Sequence, residues 1–222
     1  VICKGTTANG SLVASADIYV NGVRVGLGQN VNTTNTCVGN GALSSTNASS
    51  TFNTAIGYNA LNQSYGASGN TAVGTNALNS ITVNINNTVV GAGAGTANGI
   101  GSCTLIGNNA QSITGSANTV SIGQSANTGD KCIAIGNSSN ISGSTSTGVG
   151  YGTSSTHNFS TVLGYNAVST ANSQVVLGTE SETVICKGTG TSITASGAIS
   201  AVGTITTTST GGMNSRVYNL DE

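Results

Sequence analysis

A branched aliphatic residue followed by glycine recurs ten times along this chain, at Gly39, Gly57, Gly74, Gly91, Gly107, Gly123, Gly136, Gly150, Gly164 and Gly178. Successive spacings are 18, 17, 17, 16, 16, 13, 14, 14 and 14 residues. Stacked supersecondary units keep such a register because each buries its face only against its neighbours. A disordered tract of the same composition has no reason to keep it.

Alignment on these glycines exposes three columns. The residue before each glycine is always a large aliphatic, from Val38, Ile56 and Val73 through to Leu163 and Leu177, and this column is expected to be buried. One position earlier stand Cys37, Ala55, Ala72, Val89, Leu105, Ser121, Ala134, Gly148, Val162 and Val176, which point to the opposite side of a strand. Both sides are mostly apolar, so both must be covered. The returning half of the coil covers one, and copies of the same chain are expected to cover the other. Three residues after each glycine the side chain is small, as at Ala42, Ala60, Ala77 and Ala94, so a large group should not fit there. The glycine itself is expected at a corner, with positive φ or a close backbone approach.

Composition agrees with a rod more than with a globule. Only 4% of the 222 residues are aromatic, there is no Trp or Pro, and 5% are charged, against a usual charged share of about 25%. No charged residue or histidine occurs between Val25 and Gly129. A formal net charge of -1 supplies no basic stripe for phosphates, so nucleic acid is not an expected partner. No apolar run approaches about 18 residues, so no membrane insertion is expected. The five cysteines, Cys3, Cys37, Cys103, Cys132 and Cys186, form no CxxC pair and read as small buried hydrophobes.

The ends repeat one another. Val1-Ile2-Cys3-Lys4-Gly5-Thr6 reappears as Val184-Ile185-Cys186-Lys187-Gly188-Thr189. The expected organisation is the end of a preceding unit plus a β connector over residues 1–34, the repeats over 35–183, a second connector over 184–212 and a tail over 213–222, the whole being an excerpt of a longer fibre. In the first connector Ile18-Tyr19-Val20 and Val23-Arg24-Val25 flank Asn21-Gly22, a strong hairpin signal.

At Asn53-Thr54-Ala55-Ile56-Gly57-Tyr58-Asn59-Ala60-Leu61 and Asn70-Thr71-Ala72-Val73-Gly74-Thr75-Asn76-Ala77-Leu78 the chain resembles the head repeats of trimeric autotransporter adhesins, which also occur in phage and large-virus tail fibres. The resemblance covers roughly residues 35 to 180. It implies an all-β fold, a left-handed parallel β-roll of about ten short coils in an intertwined homotrimer, whose outer surface meets a host glycan or protein receptor. The segment Asp17 to Gly26 resembles the part that precedes such repeats in viral tail fibres. That segment and the unpaired cysteines favour a viral or phage fibre on the virion surface over a bacterial adhesin head on the cell surface. The early coils, longer than the family's fourteen-residue period, enlarge outward loops.

No enzyme and no cofactor are expected. His157 is the only histidine, and no Gly-x-Ser-x-Gly elbow accompanies Ser155, Ser160 or Asp130 to make a hydrolytic set. Glu180 and Glu182 share one strand side, with Lys187 as a neutralising partner, and are read as solvated rather than as a metal site. The Thr column at Thr36, Thr54, Thr71, Thr88, Thr104, Thr147 and Thr161 raises an ice-binding solenoid as an alternative. It shares the side of the aliphatic column, so its hydroxyls are expected to be half-buried and bonded between coils. Tyr58, Tyr65, Tyr151 and Tyr165 are the candidate binding residues, as outward aromatics able to stack on sugars or anchor a protein partner.

Overall fold

The computed structural model describes residues 17–29, 32–80 and 84–179. The described chain is all-β. The second connector, the tail, Cys3, Cys186, Glu180, Glu182 and the repeated end segments lie outside the described residues.

Ten short strands stack in parallel, one per coil: Thr36–Val38, Thr54–Ile56, Thr71–Val73, Thr88–Val90, Thr104–Ile106, Val120–Ile122, Ile133–Ile135, Thr147–Val149, Thr161–Leu163 and Val175–Leu177. The register is in step throughout, so that Ile56 lies over Val38 and under Val73, and Leu163 between Val149 and Leu177. A β-solenoid of nine turns results, with like residues stacked on like. The chain returns through shorter strands, Ser45–Thr46 beside Gln63–Ser64, then Gln111–Ser112, Asn127–Thr128, Asn140–Ile141 and Ser154–Ser155 in a second sheet.

The repeat glycines occupy the corner, and two effects reserve the site for them. From Gly39 to Gly164 φ lies between 118 and 146, a region in which a Cβ is strained. A Cβ on Gly74 would also lie 2.6 Å from the carbonyl oxygen of Gly91 in the next coil. The coils approach backbone to backbone here, and from Gly57 to Gly178 each glycine N–H donates to the aliphatic residue's carbonyl one coil back, as Gly74 does to Ile56 at 2.8 Å.

The small column beyond the corner, Ala42, Ala60, Ala77, Ala94, Ala110, Ala126 and Ala167 with Ser139 and Thr153, is fully buried. So is the strand-centre column of Cys37, Ala55, Ala72, Val89, Leu105, Ser121, Ala134 and Val162. These two columns fill the coil, with Leu43, Leu61 and Leu78 beneath them. Cys37, Cys103 and Cys132 are free and buried.

The Asn21-Gly22 signal yields its hairpin. Ile18–Val20 pairs antiparallel with Val23–Gly26 around a turn in which both residues have positive φ. Val23–Gly26 in turn pairs antiparallel with the first coil strand, which occupies that sheet edge and hides its free hydrogen-bonding groups. Asp17 locks the hairpin down: it accepts the Leu27 N–H at 2.7 Å and pairs with Arg24 at 3.2 Å. Arg24 also donates to the Ala42 carbonyl at 3.2 Å and to the Tyr19 hydroxyl at 2.6 Å.

Candidate association face and outward aromatics

The two strand sides differ in which is covered. The strand-centre column points into the coil, and the aliphatic column before each glycine points out of it. Ile56 is 40% exposed, and Val90, Ile106, Ile135, Val149 and Leu177 are similarly open. Within one chain this column is therefore not buried, contrary to the sequence expectation. Alternation along the strand lets only one of the two columns face the interior; the coil takes the one that runs from Ala55 and Ser121 up to Val89 and Leu105, and the uniformly branched column is left outside.

The threonines share this outer face. Thr54, Thr71, Thr104, Thr147 and Thr161 are half-buried, as expected, whereas Thr36 and Thr88 are exposed. The expected bonding between coils is absent: within the described residues no hydroxyl of this column is hydrogen-bonded. No charged residue stands in either column. The outer face is thus a neutral ribbon of alternating hydroxyl and aliphatic columns.

Aromatic residues mark its borders. Tyr58, Tyr151 and Tyr165 each follow the corner glycine, in one column, and all are exposed. Tyr151 and Tyr165 belong to adjacent coils and stack, with ring centroids 5.5 Å apart and planes 11° from parallel. Tyr58 stands six coils away from Tyr151. Tyr65 is placed elsewhere, after the return strand Gln63–Ser64, where Gln63 and Tyr65 are exposed and Ser64 between them is buried. At the opposite border of the face stand Phe52 and Phe159, 67% and 64% exposed, both with positive φ.

A polar ladder that the sequence reading did not single out runs four residues before each corner glycine. Asn35, Asn53, Asn70 and Asn87 lie buried in line, and each side-chain oxygen accepts the backbone N–H of the next position: Asn53 to Asn35 at 2.9 Å, Asn70 to Asn53 at 3.0 Å, Asn87 to Asn70 at 3.1 Å and Cys103 to Asn87 at 3.0 Å. Each amide also donates to the carbonyl three residues before its successor, as Asn53 does to Ala67 and Asn70 to Asn84. In the fourteen-residue coils shorter side chains do the same. Cys132 Sγ reaches the Gly143 carbonyl, Ser146 the His157 carbonyl and Ser160 the Ala171 carbonyl. The ladder satisfies backbone groups that the tight corner leaves unpaired inside the coil.

His157 is half-buried, with its Nδ1 3.2 Å from Ser169 Oγ. Ser155 and Ser169 are buried and bonded to each other at 2.7 Å, so neither hydroxyl is open to a substrate. Asp130 accepts the Ala117 N–H at 3.0 Å and pairs with Lys131 at 3.5 Å. Burial, reinforced by Asp17, pushes the Cys37 thiol up, and burial does the same to Cys132. Among the described residues no three His, Cys, Asp or Glu side chains converge as metal ligands. Beside the return strand Gln111–Ser112 lies an open groove of about 750 Å³, bordered by Asn76, Asn79, Thr96, Asn109 and Gln111.

No protein family's sequence profile matches this chain, and no curated protein matches it. Among solved structures the chain is similar to the collagen-binding domain of the Yersinia adhesin YadA, at 20% identity and a TM-score of 0.50, over 70% of this chain and 81% of that one. At that identity the likeness is one of fold. The resemblance drawn from Asn53 to Leu78 is borne out at that level: the chain folds as a β-solenoid similar to an adhesin head.

Proposed function

We propose that this chain is a non-enzymatic segment of a homotrimeric attachment fibre, of a virus or phage, that holds surface loops outward toward a host glycan or protein receptor. One observation carries the reading: a finished solenoid, its own interior filled, leaves a continuous aliphatic column outside. Nine steps of about 4.8 Å between the ten strands give a face about 43 Å tall. Six residues of extended chain between its borders make it about 20 Å wide. The resulting area of about 900 Å² matches the roughly 800 Å² per partner of a stable interface. With no charge in its columns, the face can meet its own copies without repulsion. The number three comes from the sequence resemblance.

Association on this face leaves the return side for the receptor. Tyr65 and the amide-lined groove beside Gln111 lie there, and three copies of each on one rod turn modest contacts into firm attachment through multivalency. The test is binding of the purified chain to immobilised collagen and to a panel of neutral and sialylated glycans, with Tyr65→Ala in parallel. Specific binding to one surface, weakened in the variant, is expected. Binding no greater than that of heat-denatured protein on every surface would remove the attachment role.

Two other readings have an observation each. The adhesin head among similar structures favours a bacterial surface fibre, which shares the same trimeric mechanism. The unbonded threonine hydroxyls favour an ice-binding face, which requires that face to stay open. Thermal hysteresis by a monomeric protein would select the ice-binding reading.

A further inference from the structure

Phe52 and Phe159 are the two phenylalanines of the chain, and each holds an unfavourable place. Both stand at a corner with φ of 57 and 58, where the other coils use Gly69, Asn86, Ser102, Asn118, Lys131, Thr145 or Ser173. A bulky side chain there is uncommon and strained. Both rings are also about two-thirds exposed, so the apolar surface of neither is covered within the chain.

Each phenylalanine moreover shares its coil with a tyrosine on the far border of the face. The rows are Phe52-Asn53-Thr54-Ala55-Ile56-Gly57-Tyr58 and Phe159-Ser160-Thr161-Val162-Leu163-Gly164-Tyr165. In each row the second, fourth and sixth residues serve the ladder, the core and the corner. The remaining four, aromatic, threonine, aliphatic and aromatic, lie on or beside the outer face.

Symmetry decides what these borders meet. When copies associate in parallel about an axis along the solenoid, rotation preserves height, so side chains of the same coil come together. It also brings the leading border of one copy's face to the trailing border of the next. We infer that Phe52 of one protomer packs on Tyr58 of its neighbour, and Phe159 on Tyr165, forming aromatic clasps across the seams near both ends of the described stack. The Tyr151–Tyr165 stack prepares the second clasp as a platform two coils tall. Aromatic pairs of this kind add to the area they bury and fix register. A slip of one coil would set each phenylalanine against Thr75, Asn40, Tyr151 or Thr179 instead. The inference rests on the parallel oligomer proposed above.

The experiment is oxidative cross-linking of the full chain carrying Phe159→Cys with Tyr165→Cys, alongside each single variant and the parent, after the mass of each in solution has been measured. The expected result is disulfide-linked dimers and trimers on a denaturing gel from the double variant, absent from both single variants and from the parent. The pair Phe52→Cys with Tyr58→Cys repeats the test at the other end, so a local folding defect in one coil does not decide the outcome. Trimeric double variants that stay unlinked at both ends would overturn the clasps and leave the trimer standing. A monomeric parent would overturn the oligomer itself, and the clasps with it.

Discussion

Replacing Asn70 by Ala isolates the polar ladder. Its side chain is fully buried. The oxygen accepts the Asn87 N–H at 3.1 Å and the Asn87 amide at 2.9 Å, and the nitrogen donates to the Asn84 carbonyl at 2.9 Å and to Asn53 Oδ1 at 3.1 Å. Asn53 Oδ1 keeps a second donor in the Asn70 backbone N–H, so it is not stranded. The Asn84 carbonyl likewise keeps the Ser68 N–H at 3.2 Å, so the Asn87 N–H is the group left without a partner. One stranded buried group at about 1–3 kcal/mol places the loss near 2 kcal/mol. Urea unfolding followed by circular dichroism at one protein concentration measures it, provided the denaturant slope is unchanged. Asn108→Ala is the control: its exposed amide makes only solvent-accessible bonds, to the Ala92 carbonyl at 3.3 Å and from the Asn109 amide at 3.1 Å, and a loss under about 0.5 kcal/mol is expected. Asn70→Asp adds a second readout. A protonated acid there can still donate to the Asn84 carbonyl and a carboxylate cannot. Burial raises its folded-state pKa, so that variant should be most stable at low pH and weaken as pH rises. Equal stability of Asn70→Ala and Asn108→Ala would refute the ladder as a source of stability.

Three further outcomes follow from the same geometry. Gly74→Ala places a Cβ 2.6 Å from the Gly91 carbonyl oxygen at a φ of 138, and a loss of at least about 3 kcal/mol is expected in the same urea assay. Ile106→Glu puts a charge on the outer face without touching the interior; it should reduce the particle mass to that of one chain while the β-sheet spectrum persists. The raised Cys37 and Cys132 thiols keep their protons in the folded chain after the unfolded chain has lost them. Their contribution to stability is therefore full below the ordinary thiol range of about 8.5 and is lost as pH climbs through the folded values. A titration of unfolding midpoint against pH should fall across that range, and less steeply in Cys37→Ala with Cys132→Ala.

The parts of this fold that the sequence exposes are those where only one residue size fits. Glycine at the corner has no substitute in ten coils, and the column of Ala42, Ala60 and their successors tolerates nothing large, so both align by eye. Asn21-Gly22 predicted its hairpin because both residues accept positive φ. The ladder stayed hidden because Asn, Cys and Ser all perform one task along it, in a chain already rich in Asn. Coil length decides which of them reaches the next carbonyl, and that is a property of the folded spacing. The side of the strand that faces inward was equally illegible, since Ala55 and Ile56 are both apolar and the inward column itself ranges in size from Ala55 to Leu105. Among the four candidate tyrosines, the fourteen-residue spacing of Tyr151 and Tyr165 placed them in one column, and their stacking follows from it. Tyr65 was separated from them only by the return strand, which alternation of Gln63, Ser64 and Tyr65 reveals once its position is known.

Sedimentation equilibrium of the purified full chain bears most directly on the outward aliphatic face. The account predicts particles of three chains of 21.5 kDa each, persisting at micromolar concentration in high salt because the contact carries no charge. A stable single chain under those conditions would contradict it.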